Sequence, residues 1–278
     1  MPVLPVHRPG PARRRRSAVL GGLTAAVSAL SLLLALPSAA ADVPPRGSAY
    51  LGMGVPAHDG EHGSPVPGDA TQTEGVDVSS HQGNVAWSTL WSSGVKWAYA
   101  KATEGTYYTN PYFAQQYNGS YNVGMVRGAY HFATPDTTSG AAQANYFVDH
   151  GGGWSRDGRT LPGALDIEWN PYGASCYGKT QGQMVAWIGD FLATYKARTG
   201  RDAVIYTATS WWTECTGNYG GFATANPLWI ARYATAVGTL PAGWAYYTMW
   251  QYTSSGPTVG DHNRFNGALD RVVALANG

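Results

Sequence analysis

From residue 74 onward, short runs that are apolar throughout alternate with longer stretches of helical character, and that alternation admits few architectures. GVDVS (75–79), VKWAYAKA (95–102), MVRGAYHFA (125–133), LPGALDIEW (161–169), AVIYTA (203–208), PLWIARY (227–233) and WAYYTMWQY (244–252) read as strands. Between them, residues 84–94, 110–124, 138–149 and 179–200 read as helices; Asn110-Pro111 opens one, and Gly94 and Gly200 close two others. A strand that is apolar on both faces turns neither side to water. Such strands, interleaved with helices, build a parallel sheet covered on its outside.

About seven strand–helix steps in about 205 residues predict an α/β fold, an irregular (β/α) TIM-like barrel forming one catalytic domain over 74–278. It is irregular because several later connections are too short for full helices. A doubly wound open sheet is the competitor, and it gathers its chemistry at one switch point. Here Asp77, Lys101, Tyr130, Asp166, Glu168, Tyr206 and Gln251 stand at the C-terminal ends of many strands, which favours the barrel.

Ahead of this domain, Arg13 to Arg16, an apolar run from Ala18 to Leu36 and the small residues Ala39-Ala40-Ala41 make the three parts of a secretory signal peptide over 1–41. The run is near the lower length for a membrane span, the alternative, but its glycines, serines and small-residue exit favour cleavage. The paired arginines also permit twin-arginine export. Residues 42–73, rich in Pro, Gly, Ala and His, read as a flexible N-terminal extension. Without 1–41, five of the 18 basic residues go and all 17 acidic ones stay, leaving net charge −4. A mildly acidic chain with no basic stripe is a poor nucleic-acid or membrane-surface binder, and the reading is of a secreted, extracellular monomer. In an exported protein the only two cysteines, Cys176 and Cys215, point to a disulfide closing a loop of about 40 residues, with two buried thiols as the competing reading.

The strongest local signal is ALDIEWN (164–170). Residues i and i+2 of a strand share a face, so Asp166 and Glu168 enter one space while Leu165 and Ile167 face an apolar layer. Two acids in a partly enclosed space do not both ionise easily, so one keeps a proton near neutral pH, as protonation of a glycosidic oxygen requires. Alone, Asp-x-Glu is a weak motif. Asp77, at the end of the first strand, and Asp261, in GDHNRF after the last clear strand, can join the same rim. Acids converging from separated segments are costly for stability and mark function.

The ordered segments GVDVSSHQG (75–83), YAKATEG (99–105), GAYHFA (128–133), ALDIEWN (164–170), PLWIARY (227–233) and MWQYTSSGPTVGDHNRFNG (249–267) together resemble glycoside hydrolase family 25, the Chalaropsis-type lysozymes, over about residues 74–270. The resemblance implies hydrolysis of the β-1,4 bond between N-acetylmuramic acid and N-acetylglucosamine in peptidoglycan, with net retention and no cofactor. It makes Glu168 the general acid, with Asp166, Asp77 and Asp261 as its catalytic companions. Lys101, Glu104, Tyr130, Tyr206 and Tyr233 then line the groove, to which Trp229 and Gln251 are added from their strand-end positions. The nucleophile is either a direct carboxylate, Asp77 or Asp166, or the substrate's own acetamide oriented by Asp166.

Other chemistry is weaker. His81 and His131 lack a third ligand pattern for a metal, and Ser79-Ser80-His81 lacks the glycine-flanked nucleophile elbow. Trp87, Trp91 and Trp97 read as packing residues, whereas Trp229 and Trp250, at strand ends, could each be either packing or sugar platform. A catalytically silent peptidoglycan-binding module would require loss of Glu168, which is present. A chitinase-like glycosidase needs a further acid two residues before Asp-x-Glu, where this chain has Ala164.

Overall fold

The apolar runs pair into one sheet that closes on itself. The structure, a computed structural model, describes residues 43–62 and 71–278 and Gly10. The signal peptide expected over 1–41 falls, apart from Gly10, outside the described residues, as do 63–70 of the expected extension.

The strands are β1 (Thr73–Val78), β2 (Trp97–Glu104), β3 (Tyr108–Thr109), β4 (Val126–Phe132), β5 (Ala164–Asp166), β6 (Val204–Ala208), β7 (Leu228–Ala231), β8 (Met249–Thr253) and β9 (Asp261–Phe265). Their order is β1-β9-β8-β7-β6-β5-β4-β2, and β2 pairs with β1 to close an eight-stranded barrel; β3 folds back on β2 as a rim hairpin. Every barrel pairing is parallel except the two made by β9, which runs against both β8 and β1. From sequence, the strands end before this one, and Asp261 is placed only after the last clear strand. The five residues of β9, DHNRF, carry no apolar run, yet all are buried.

Helices α1 (Val55–His58), α2 (Trp87–Ser92), α3 (Phe113–Asn122), α4 (Gly140–Phe147), α5 (Gln181–Thr199), α6 (Thr209–Thr216) and α7 (Leu269–Asn277) accompany the strands, with short helical turns at Ser80–Gln82 and Val148–Gly152. α5 shows why its sequence is helical. Thr180 and Gln183 form a reciprocal cap at its start, and Gly200 ends it in the left-handed region at φ 73°. Met184, Trp187, Ile188, Phe191, Leu192 and Tyr195 repeat at three- and four-residue spacing and are buried. No helix joins β7 to β8, in keeping with the irregularity expected from the short connections.

Side-chain alternation divides the strands cleanly. Val76, Val78, Ala98 and Ala100 face outward into a cluster with Trp87, Leu90 and Met125. Trp97, Tyr99, Tyr206, Trp229 and Phe265 fill the barrel, with Tyr99 and Trp229 ring centroids 4.9 Å apart. The interior has room for these rings because small residues oppose them. A Cβ on Gly75 would lie 2.1 Å from the Trp97 indole, and one on Gly128 would lie 2.3 Å from Tyr99.

Residues 43–62 correct the reading of 42–73 as a flexible extension. Ala49, Leu51 and Val55 are buried, and His62 bridges to Ala234 beyond β7. The glycines that suggested a linker instead let the backbone pass close to the barrel mouth as a strap, with Leu51 and Val55, four residues apart, pinning it.

Cys176 and Cys215 form a disulfide, joining the loop after β5 to α6 across 39 residues of sequence. Replacing both with serine is expected to lower unfolding free energy by about 3–4 kcal/mol in the loop-entropy account. Denaturant titration of the two chains measures it; a difference under about 1 kcal/mol contradicts the expectation.

Candidate active site

The barrel mouth collects the acids through strand register. Asp77 and Asp261 are direct cross-strand partners at the C-terminal end of β1 and the start of β9. Asp166 ends β5, and the Ile167 N–H donates to the Tyr206 carbonyl at 3.0 Å, keeping the chain extended so that Glu168 follows Asp166 on the inner face. Asp77, Asp166, Glu168 and Asp261 are all buried.

Two amides hold the cluster. Asn263 donates from Nδ2 to Asp77 at 2.7 Å, and Gln251 donates from Nε2 to Asp77 at 3.0 Å and to Asp261 at 3.3 Å. The Tyr206 and Tyr233 hydroxyls donate to Gln251 Oε1 at 2.6 and 3.1 Å, turning its amino group toward the acids. Asp166 receives no hydrogen bond from a protein donor on either buried oxygen. Burial is the first cause that pushes these acids up. Asp77 reaches about 7, opposed by its Asn263 and Gln251 bonds. Glu168 reaches about 8, opposed by backbone N–H groups of Gly52 and Gly54, and Asp261 about 9, with the charges of Asp77 and Glu168 adding to burial. Asp166 is raised well above its ordinary range by burial and then by Glu168, with Lys101 opposing.

Lys101 and Glu104 form a fully buried ion pair at 2.6 Å. Strict alternation would put them on opposite faces of β2, but the ladder slips between Lys101 and Thr103. That bulge turns Thr103 outward to His131 Nδ1 and Glu104 inward to Lys101. Burial favours neutral Glu104, but Lys101 outweighs it and the carboxyl is lowered; burial lowers Lys101 in turn. Tyr130 lies buried near Asp77 and Asp166, with burial and then those two charges raising its hydroxyl.

Most residues expected at the site therefore meet there. Trp229 is the exception: it packs beneath the mouth against Trp97, Tyr99 and Tyr206, fully buried, so it is no sugar platform. Its indole N–H instead donates to Asn263 Oδ1 at 2.8 Å. Asn263 itself escaped sequence reading because β9 has no apolar signature. Tyr172, which donates to Glu104 at 2.6 Å, escaped it because it lies in a loop. His131 is enclosed by Thr103 and Gln143. Among the described residues, the His, Cys, Asp or Glu group compact enough for a metal is Cys176, Glu214 and Cys215, whose sulfurs are joined to each other.

The sequence matches the family profile of glycosyl hydrolases family 25 over residues 76–261. It is 48% identical to lysozyme M1 of Streptomyces globisporus, across 95% of this chain and 96% of that one. It is also 48% identical to the N,O-diacetylmuramidase of Chalaropsis sp, across 74% of this chain and 99% of the relative. Among solved structures, a muramidase from Acremonium alcalophilum superposes with a TM-score of 0.73 at 55% identity, covering 74% of this chain and 99% of its own.

The raised acids make stability depend on pH. Between their ordinary values near 4 and their folded values of about 7 to 9, the folded chain holds protons that the unfolded chain has released. Their contribution is therefore fully present at low pH and lost as pH rises through that window. Asp261→Asn is expected to flatten the fall in Tm between pH 5 and pH 9. Thermal melts at both pH values measure this, and an unchanged slope would rule out Asp261 as a source.

Proposed function

The chain belongs to glycosyl hydrolases family 25 and is a peptidoglycan-degrading lysozyme, and we propose that it is a secreted muramidase cutting the β-1,4 bond between N-acetylmuramic acid and N-acetylglucosamine, with net retention and Glu168 as acid and base. The observation that carries this reading is the placement of Asp166 and Glu168 side by side and buried at the barrel mouth, where burial pushes both carboxyls up. Secretion is supported by the basic, apolar and small-residue sequence of 1–41.

In this mechanism Glu168, its carboxyl pushed up to about 8 by burial, carries the proton that the leaving O4 needs. A glycan filling the mouth excludes water and maintains that burial. Asp166 has two buried oxygens without protein donors, and these suit the N–H of the 2-acetamido group. Held there, the acetamide carbonyl oxygen attacks the anomeric carbon as the C–O bond to glucosamine breaks and Glu168 gives its proton to the departing oxygen. Water then opens the cyclic intermediate from the opposite face, losing a proton to Glu168. Two inversions leave net retention. Asp77 and Asp261, held by Gln251 and Asn263, face the ring as positive charge develops.

Glu168→Gln is expected to reduce turnover by roughly 10²–10⁴-fold while saccharide binding survives. Near-normal release of fragments from purified peptidoglycan by that variant would sink the assignment. Mass spectrometry of the fragments is expected to find reducing ends on muramic acid; reducing ends on glucosamine would overturn the bond assignment.

A further inference from the structure

Both carboxylate oxygens of Glu168 are occupied by the chain itself. The Gly52 N–H donates to one at 2.6 Å and the Gly54 N–H to the other at 3.3 Å, and the residue is 1% exposed. An acid so enclosed cannot reach a glycosidic oxygen in a polymer. The enclosing segment is the strap, residues 43–62, and it meets the groove on several walls. Lys101 Nζ donates to the carbonyls of Gly47 and Ala49, the Gly47 N–H donates to Glu104 at 2.8 Å, and the Ala49 N–H donates to the Tyr172 hydroxyl at 3.2 Å. Gln251 Nε2, beside its bonds to the acids, also donates to the Leu51 carbonyl at 3.3 Å.

We propose that the strap is an autoinhibitory segment that occupies the glycan's place in the active site, so that the chain is latent until the strap leaves. This rests on the muramidase reading above. The contacts that touch Glu168, Lys101, Glu104 and Gln251 come from strap backbone, whose N–H and C=O groups stand in for a saccharide's acetamide and hydroxyl groups. The fit demands glycine at the point of closest approach. Gly52 has φ +80°, and a Cβ there would lie 2.2 Å from the Tyr233 hydroxyl and 2.5 Å from Gln251 Oε1.

The strap is also an addition to the barrel rather than part of it. The eight-stranded ladder closes without it, and the family match starts at residue 76, after it. Its outer fastenings are of the kind that release. Arg46 pairs with Asp136 at 3.0 Å, with both side chains partly exposed, and His58 stacks on Trp169 at 3.9 Å. What the strap buries most deeply, Leu51 and Val55, is apolar surface whose loss a bound glycan can replace.

The test uses the chain without the expected signal peptide, residues 42 to 278, with a site-specific endopeptidase sequence inserted between residues 63 and 70. Solubilisation of purified peptidoglycan is followed before cutting and after the freed strap is removed by gel filtration. Activity is expected to rise at least about tenfold, in proportion to the fraction of open mouths. Synthetic peptide 43–62 is expected to reverse the gain, at concentrations up to roughly millimolar because the tether is gone. Gly52→Val in the uncut chain is expected to raise activity likewise; if that variant fails to fold, the cut chain decides alone. Equal rates before and after cutting, or a rate that falls with Tm, would overturn the inference and leave the muramidase reading in place. A folded, strap-free chain that is inert on peptidoglycan would overturn both.

Discussion

Placing Asp77, Asp166, Glu168 and Asp261 in one buried mouth sets like charges against each other, and the surrounding groups answer that repulsion by controlling which way two amides point. The Trp229 indole N–H fixes Asn263 Oδ1, so Asn263 Nδ2 faces Asp77. Two tyrosine hydroxyls fix Gln251 Oε1, so its amino group faces Asp77 and Asp261. The aromatic filling of the barrel thus sets the orientation of the polar layer above it, and that layer decides which acids are solvated by donors. Asp166 is left without any, which is the property its proposed role requires.

The second device is the slip in the ladder of β2. A regular strand would have separated Lys101 from Glu104 by the full thickness of the sheet. One irregularity brings them into a buried pair and turns Thr103 to His131 in the outer layer, where the imidazole stacks on Phe191 and lies tilted against Phe147. A buried cation beside the cluster lowers the cost of the carboxylates, and Asp166 is the acid that feels it.

The barrel and the acids were legible because both write periodic signals. Continuous apolar strands announced a covered parallel sheet, and Asp166 and Glu168 announced a shared face through their i, i+2 spacing. Asp261 could be placed at the mouth but not in a strand, since β9 draws its burial from paired polar groups such as Asn263 and Arg264 rather than from apolar ones. Trp229 misled for the opposite reason: a strand-end position does not say how deep a large ring sits. The glycines of 43–62 misled most. Gly47, Gly52 and Gly54 have the composition of a linker, and only their neighbours in space reveal that they are needed for contact rather than freedom.

The antiparallel closing strand has a consequence for how the molecule comes into being. Asn263 and Asp77 meet across 186 positions of sequence, and the catalytic mouth has no floor on that side until β9 slots between β8 and β1. Contacts between such distant positions form late, because the loop they close is long. A chain still emerging from a ribosome therefore has its first aspartate and its acid pair synthesised before the strand whose Asn263 holds that aspartate. No power to damage a cell wall can exist before that strand is made.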